Sequence, residues 1–86
     1  MEEFVVIANQ TLTNEEEVIY SNSRGAVIKT ILLNAPTQTE AVLVFDEIPF
    51  SFLIEKGTTV ISTPILTKKI KASGESVNLH ITGLQL

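Results

Sequence analysis

Apolar and polar positions along this chain alternate with a period of two far more often than they recur every three or four residues, which is the pattern of strands with one covered face. The closing stretch is the clearest case. Val77, Leu79 and Ile81 point one way while Asn78, His80 and Thr82 point the other. Ile70 and Ala72 oppose Lys69 and Lys71 in the same manner. Runs rich in β-branched residues occupy Glu3 to Ala8, a short piece around Thr11 to Thr13, Val18 to Tyr20, Ala26 to Asn34, Glu40 to Phe45, Phe50 to Ile54, Thr58 to Ser62 and Ile65 to Ala72. The run from Ala26 carries Val27, Ile28, Ile31, Leu32 and Leu33 and expects cover on both faces.

Turn chemistry separates these runs. Asn14 to Glu17 is a capping-box variant that could open one helical turn, but Val18-Ile19-Tyr20 after it favours a strand entered through a turn. Ser21 to Gly25 reads as a polar loop, and Ala35-Pro36-Thr37-Gln38-Thr39 as a break, because proline has no donor for a ladder. Asp46-Glu47-Ile48-Pro49 is expected to turn the chain, Glu55-Lys56-Gly57 to make a hairpin-like corner, Pro64 to mark a bend or an edge, and Ser73-Gly74-Glu75 to form the last turn. The sum is an all-β chain, expected to be a small antiparallel β-sandwich or jelly-roll-like domain of seven or eight short strands. No linker or internal repeat divides it, so residues 1–86 read as a single domain.

Composition narrows the functional classes. With 44% hydrophobic and 19% charged residues the chain is too apolar for a disordered segment. At 86 residues its core is thin, with roughly 60 to 65% of the extended surface hidden on folding, so burial against a second copy is expected to help it. The net charge of −4 argues against nucleic acid as a partner, since phosphate neutralisation needs many Lys and Arg. Lys68, Lys69 and Lys71 form the one basic cluster, read as a solvated face or guarded edge, or as a contact for an acidic neighbour. Met1-Glu2-Glu3 lacks the positive charge of a secretory leader, and no apolar run approaches the ~20 residues of a membrane helix. Synthesis in the cytoplasm without a signal peptide and no membrane partner are the expectations.

Catalytic, metal and cofactor chemistry find little to work with. His80 is the single histidine and no nucleophile elbow accompanies it. With no cysteine, disulfides and thiolate sites are excluded, and one histidine is a poor start for zinc. Glu15-Glu16-Glu17 and Asp46-Glu47 could offer oxygen ligands to calcium but lack EF-hand spacing. No phosphate- or dinucleotide-binding glycine pattern is present, so no cofactor is expected, and Asn9-Gln10-Thr11 matches a glycosylation sequon by chance. Of the aromatics Phe4, Tyr20, Phe45, Phe50 and Phe52, most are expected in the core. Phe50 and Phe52 share a face and become interface candidates if their strand lies at an edge.

The order of elements carries one resemblance. Glu17-Val18-Ile19-Tyr20, the run Gly25 to Asn34, Glu55-Lys56-Gly57-Thr58-Thr59, the stretch Ile65 to Ser73, and Val77 to Gly83 together resemble the small β-sandwich accessory structural proteins of tailed bacteriophages. The likeness runs from Glu17 onward, and departs from that family between Asp46 and Ile54 and at Lys68-Lys69. The resemblance implies a non-enzymatic virion component of head, tail or baseplate that forms a homo-oligomer and packs against other virion structural proteins. The alternative reading is a carbohydrate or host-surface adhesion module with a glycan partner. A third is a small regulatory or inhibitor protein that adds an edge strand to a target.

Overall fold

The computed structural model describes residues 4–62 and 64–86. They form one antiparallel sheet of seven strands: β1 (Val5–Thr11), β2 (Glu17–Ala35), β3 (Thr39–Phe45), β4 (Ile48–Ile54), β5 (Gly57–Ile61), β6 (Ile65–Gly74) and β7 (Asn78–Gln85). The order along the sheet is β1-β7-β2-β6-β3-β4, with β5 joined to β2 on the edge that β6 also uses. The all-β expectation holds.

β2 organises the whole. Nineteen residues at about 3.3 Å each would reach about 60 Å if straight, yet the longest dimension of the molecule is 38 Å. The strand therefore bends. Its first half pairs with β6, which continues to β3 and β4, and its second half pairs with β7 and β5, with β1 beyond β7. Two layers sharing β2 as a corner strand result, and their inner faces meet in one core. Ala41, Leu43, Phe45, Ile54, Ile70 and Ala72 come from the first layer, and Ile7, Ile31, Leu33, Leu79 and Ile81 from the second.

The corner is built from irregular pairing. Between Ser21 and Ala26 the strand β2 advances five residues while β6 advances two, from Lys69 to Thr67. The surplus bulges outward, with Gly25 at a φ of 87° that L side chains rarely adopt. Ser21 to Gly25 is thus a bulge inside a continuous strand, where the polar composition suggested a loop between two. A second irregularity lies between Ile28 and Thr30 opposite β7. There the backbone of β2 presses against Gly83, and a Cβ on that glycine would lie 2.1 Å from the Val27 carbonyl oxygen.

Four further boundaries differ from the sequence reading. The run at Glu3 to Ala8 continues unbroken to Thr11 as one strand, β1, and the buried Leu12 lies just beyond it; Glu3 lies outside the described residues. Asp46 and Glu47 alone make the β3–β4 turn, and Ile48 and Pro49 already belong to β4. Glu55-Lys56 is not a hairpin turn: β4 pairs with β3 and β5 with β2, so the chain crosses here from one layer to the other. Glu75 and Ser76 form the last turn, with Ser76 at φ 58°.

Candidate functional site

The β3–β4 hairpin carries the most distinctive local chemistry. Phe45 pairs with Ile48 across a two-residue turn in which both central residues have positive φ, 50° at Asp46 and 73° at Glu47. Such a primed turn matches the twist of the strands but normally uses Asn-Gly. Here tertiary hydrogen bonds hold it. The Asp46 amide donates to the Lys69 carbonyl at 3.0 Å, and Asp46 Oδ1 accepts from the Lys68 amide at 2.9 Å, the Lys69 amide at 3.0 Å and Thr67 Oγ1 at 3.1 Å. Those amides are free for a side chain because β2 bulges away from β6 at this level. The Lys68 amide bond lowers the Asp46 pKa from its ordinary 3.8, helped by the Lys69 amide, the Thr67 hydroxyl and the charge of Lys68 against partial desolvation. Glu47 lies beside Lys69 at 3.9 Å and Lys71 at 3.7 Å, both surface pairs.

β4 then runs along the free edge of the first layer. Ile48, Phe50, Phe52 and Ile54 point toward the interior, being in register with the buried Phe45, Leu43 and Ala41 and with Thr39. Their exposure nevertheless rises steadily from the crossing corner to the hairpin tip. Ile54 is 0% exposed, Phe52 is half-buried, Phe50 is 48% exposed and Ile48 59%. The cause is a mismatch of lengths. Leaving the same corner, β4 has seven residues and β5 only five, about 23 Å against about 16 Å, so among the described residues the second layer stops short of the tip.

An open apolar groove of about 460 Å³ occupies the gap. Phe45, Ile48, Phe50 and Phe52 form one wall, Ile61, Ile65 and Leu66 the other, and Asp46 closes one end. Leu66 is 68% exposed, and the Phe45 and Phe50 rings stand 5.9 Å apart at 53°. The opposite side of the sandwich is shut: the Leu12 amide donates to the Val77 carbonyl and the Gly74 amide to the Thr13 carbonyl, each at 2.7 Å, and Gln10 bonds Glu17.

Phe50 and Phe52 thus lie in the groove, whereas the Lys69 and Lys71 ammonium groups gather around Glu47 on the outer face. Lys68 is exposed and contributes its backbone to the Asp46 clamp. Of the aromatics, Phe45 belongs to the core and Tyr20 and Phe52 are half-buried against it, whereas Phe4 and Phe50 are exposed. Ile48 and Leu66 were not singled out from sequence, and Asp46 was read only as a turn residue and a possible oxygen ligand for calcium. The signal for Ile48 was the charge-free run Ile48 to Ile54, which a turn assignment at Ile48-Pro49 concealed. His80 sits on β7 between Asn9 and Leu32, and Glu15 to Glu17 are exposed. Among the described residues no three His, Asp or Glu side chains converge as a metal site, and the Asp46 and Glu47 carboxylates are already engaged by protein donors. Comparisons with protein-family models, curated proteins and solved structures find no match.

Proposed function

We propose that this chain is a non-enzymatic assembly subunit that binds its neighbours, including copies of itself, through the β4 edge and the groove beneath it. The observation that carries this reading is the exposure of Ile48 and Phe50, interior-facing residues in register with buried Phe45 and Leu43. An apolar wall left open in so small a core is surface that association would cover. Virion accessory proteins, which the order of elements resembles, work in this way, by many modest contacts repeated by symmetry. In that setting the protein is made in the host cytoplasm and resides in the particle, against head, tail or baseplate components.

Two measurements test the reading. Light scattering across a range of concentrations should show the mass of the chain rising above the monomer, and Phe50→Ser combined with Leu66→Ser should hold it at the monomer with unchanged circular dichroism. Mass spectrometry of virions purified from a host that expresses the gene should find many copies per particle. A chain that stays monomeric throughout and is absent from virions overturns the proposal.

A further inference from the structure

The free edge of β4 has a property beyond being apolar. Its sequence, Ile48-Pro49-Phe50-Ser51-Phe52-Leu53-Ile54, reads nearly the same in both directions about Ser51: isoleucine matches isoleucine, phenylalanine matches phenylalanine, and Pro49 answers Leu53. A twofold axis demands that if residue i meets residue j, then j meets i. Two antiparallel copies of a palindromic strand satisfy that condition with like facing like.

The backbone supports the same axis. Across a two-residue turn Phe45 and Ile48 form a hydrogen-bonded pair, and the Asp46 amide points the other way, to Lys69 of β6. Ile48, Phe50, Phe52 and Ile54 therefore spend their ladder groups on β3, while Pro49, Ser51 and Leu53 turn theirs outward. Pro49 occupies a position whose missing donor faces away from the sheet. Ser51 and Leu53 offer open donors and acceptors. No charged side chain interrupts the stretch, and among the described residues nothing pairs with this edge.

We infer that two copies of this chain pair antiparallel through β4 about a twofold axis at Ser51, joining their first layers into one continuous sheet. This rests on the self-association proposed above and specifies its geometry. Each Ser51 exchanges two hydrogen bonds with its mate, and each Leu53 amide donates to Pro49 of the partner copy. On the inner face Phe50 lies against the partner's Phe52 and Ile48 against the partner's Ile54, so the two grooves face each other across the axis. On the outer face the exposed Leu53 packs on the partner's Pro49. Past the ends of the strand the Asp46-Glu47 turn comes toward the partner's Glu55-Lys56, which keeps charge at the rim.

The absence of cysteine makes the test direct. Directly opposed residues of a hydrogen-bonded antiparallel pair have Cα atoms about 5.5 Å apart, within the range of about 4.4 to 6.8 Å that a disulfide spans. Ser51→Cys treated with oxidised glutathione should convert largely to a covalent dimer, the two thiols being oxidised to one disulfide. Asn9→Cys, on the free edge of β1, should stay monomeric on denaturing gels. Ser51→Pro removes a donor that faces solvent in the monomer, so circular dichroism should be unchanged while self-association weakens about tenfold or more. A dimer by light scattering in which Ser51→Cys fails to cross-link, or in which Asn9→Cys cross-links instead, overturns this pairing and leaves self-association standing. A monomer at every concentration removes both.

Discussion

Gly83→Ala is expected to damage this fold more than any other single-methyl addition at a glycine. Gly83 lies on β7, paired with Val5 of β1 on one side and Ile28 of β2 on the other. By alternation its missing side chain would point inward with Leu79 and Ile81, where the corner of β2 passes. The added carbon would sit 2.1 Å from the Val27 carbonyl oxygen and 3.0 Å from both the Val27 carbonyl carbon and Ile28 Cα. Ordinary contact begins near 3.4 Å, so main chain must move by more than an ångström. No rotamer change can relieve it. Overpacking that side chains can absorb costs about 1 to 3 kcal/mol, and a backbone clash between two paired strands belongs at or above the top of that range. Alanine recovers about 0.5 to 1 kcal/mol of chain entropy, leaving a net loss of about 2 to 3 kcal/mol. The entire stability expected of 86 residues is about 4 to 13 kcal/mol. The melting temperature should fall by about 10 to 20 °C. Urea titration followed by far-ultraviolet circular dichroism, at one protein concentration so that association does not intrude, measures the loss. Gly57→Ala is the control, with no heavy atom within 4 Å but a φ of 108°, so it pays in torsion alone, about 1 to 2 kcal/mol. A Gly83→Ala protein within about 0.5 kcal/mol of the parent, or one less affected than Gly57→Ala, would refute the close crossing of β2 over β7.

Other substitutions separate the core from the hairpin clamp. Ile81→Asp places an unpaired carboxylate at a 0% exposed position and should leave no folded protein by circular dichroism, whereas a soluble folded variant would invert the assigned face of β7. Because the Asp46 pKa is lowered by folding, its contribution is present above the unfolded value of 3.8 and is lost as pH falls through the lower folded value. Asp46→Asn should therefore flatten the acid limb of a stability–pH curve below about pH 4, and an unchanged slope would show that the carboxylate clamp is not formed. Tyr20 has a buried hydroxyl with no hydrogen-bond partner among the described residues, so Tyr20→Phe should match or exceed the parent by up to about 1 kcal/mol in the same urea titration; a loss beyond that would mean the hydroxyl is satisfied.

What could be read from sequence was whatever local pattern controls. The faces of β7 were legible because Val77, Leu79 and Ile81 are buried together while Asn78 is exposed and His80 and Thr82 are half-buried. The parity of Phe50 and Phe52 was legible for the same reason. The bend of β2 was not, because Ser21 to Gly25 has the composition of a loop and is kept in the strand by the β6 pairs that flank it, Ser21 with Lys69 and Ala26 with Thr67. The Asp46-Glu47 turn lacks glycine, and what fixes its positive φ values is a set of bonds to residues 21 to 23 positions later. Glu55-Lys56-Gly57 looks like hairpin chemistry, yet turn residues do not say whether the strands they join will pair.

The groove shows why exposure in particular escaped a reading by period. Alternation assigns Ile48, Phe50, Phe52 and Ile54 to one inner face, but cover there depends on how far β5 reaches, and β5 ends two residues short of β4's length. The short β5 places the thin part of the core beside a strand that reads nearly the same in both directions, with Pro49 set where its lost donor costs the monomer nothing. Hydrophobic surface withheld from the monomer's core and a self-matching edge thus coincide at the same strand, and a twofold partner would use both at once.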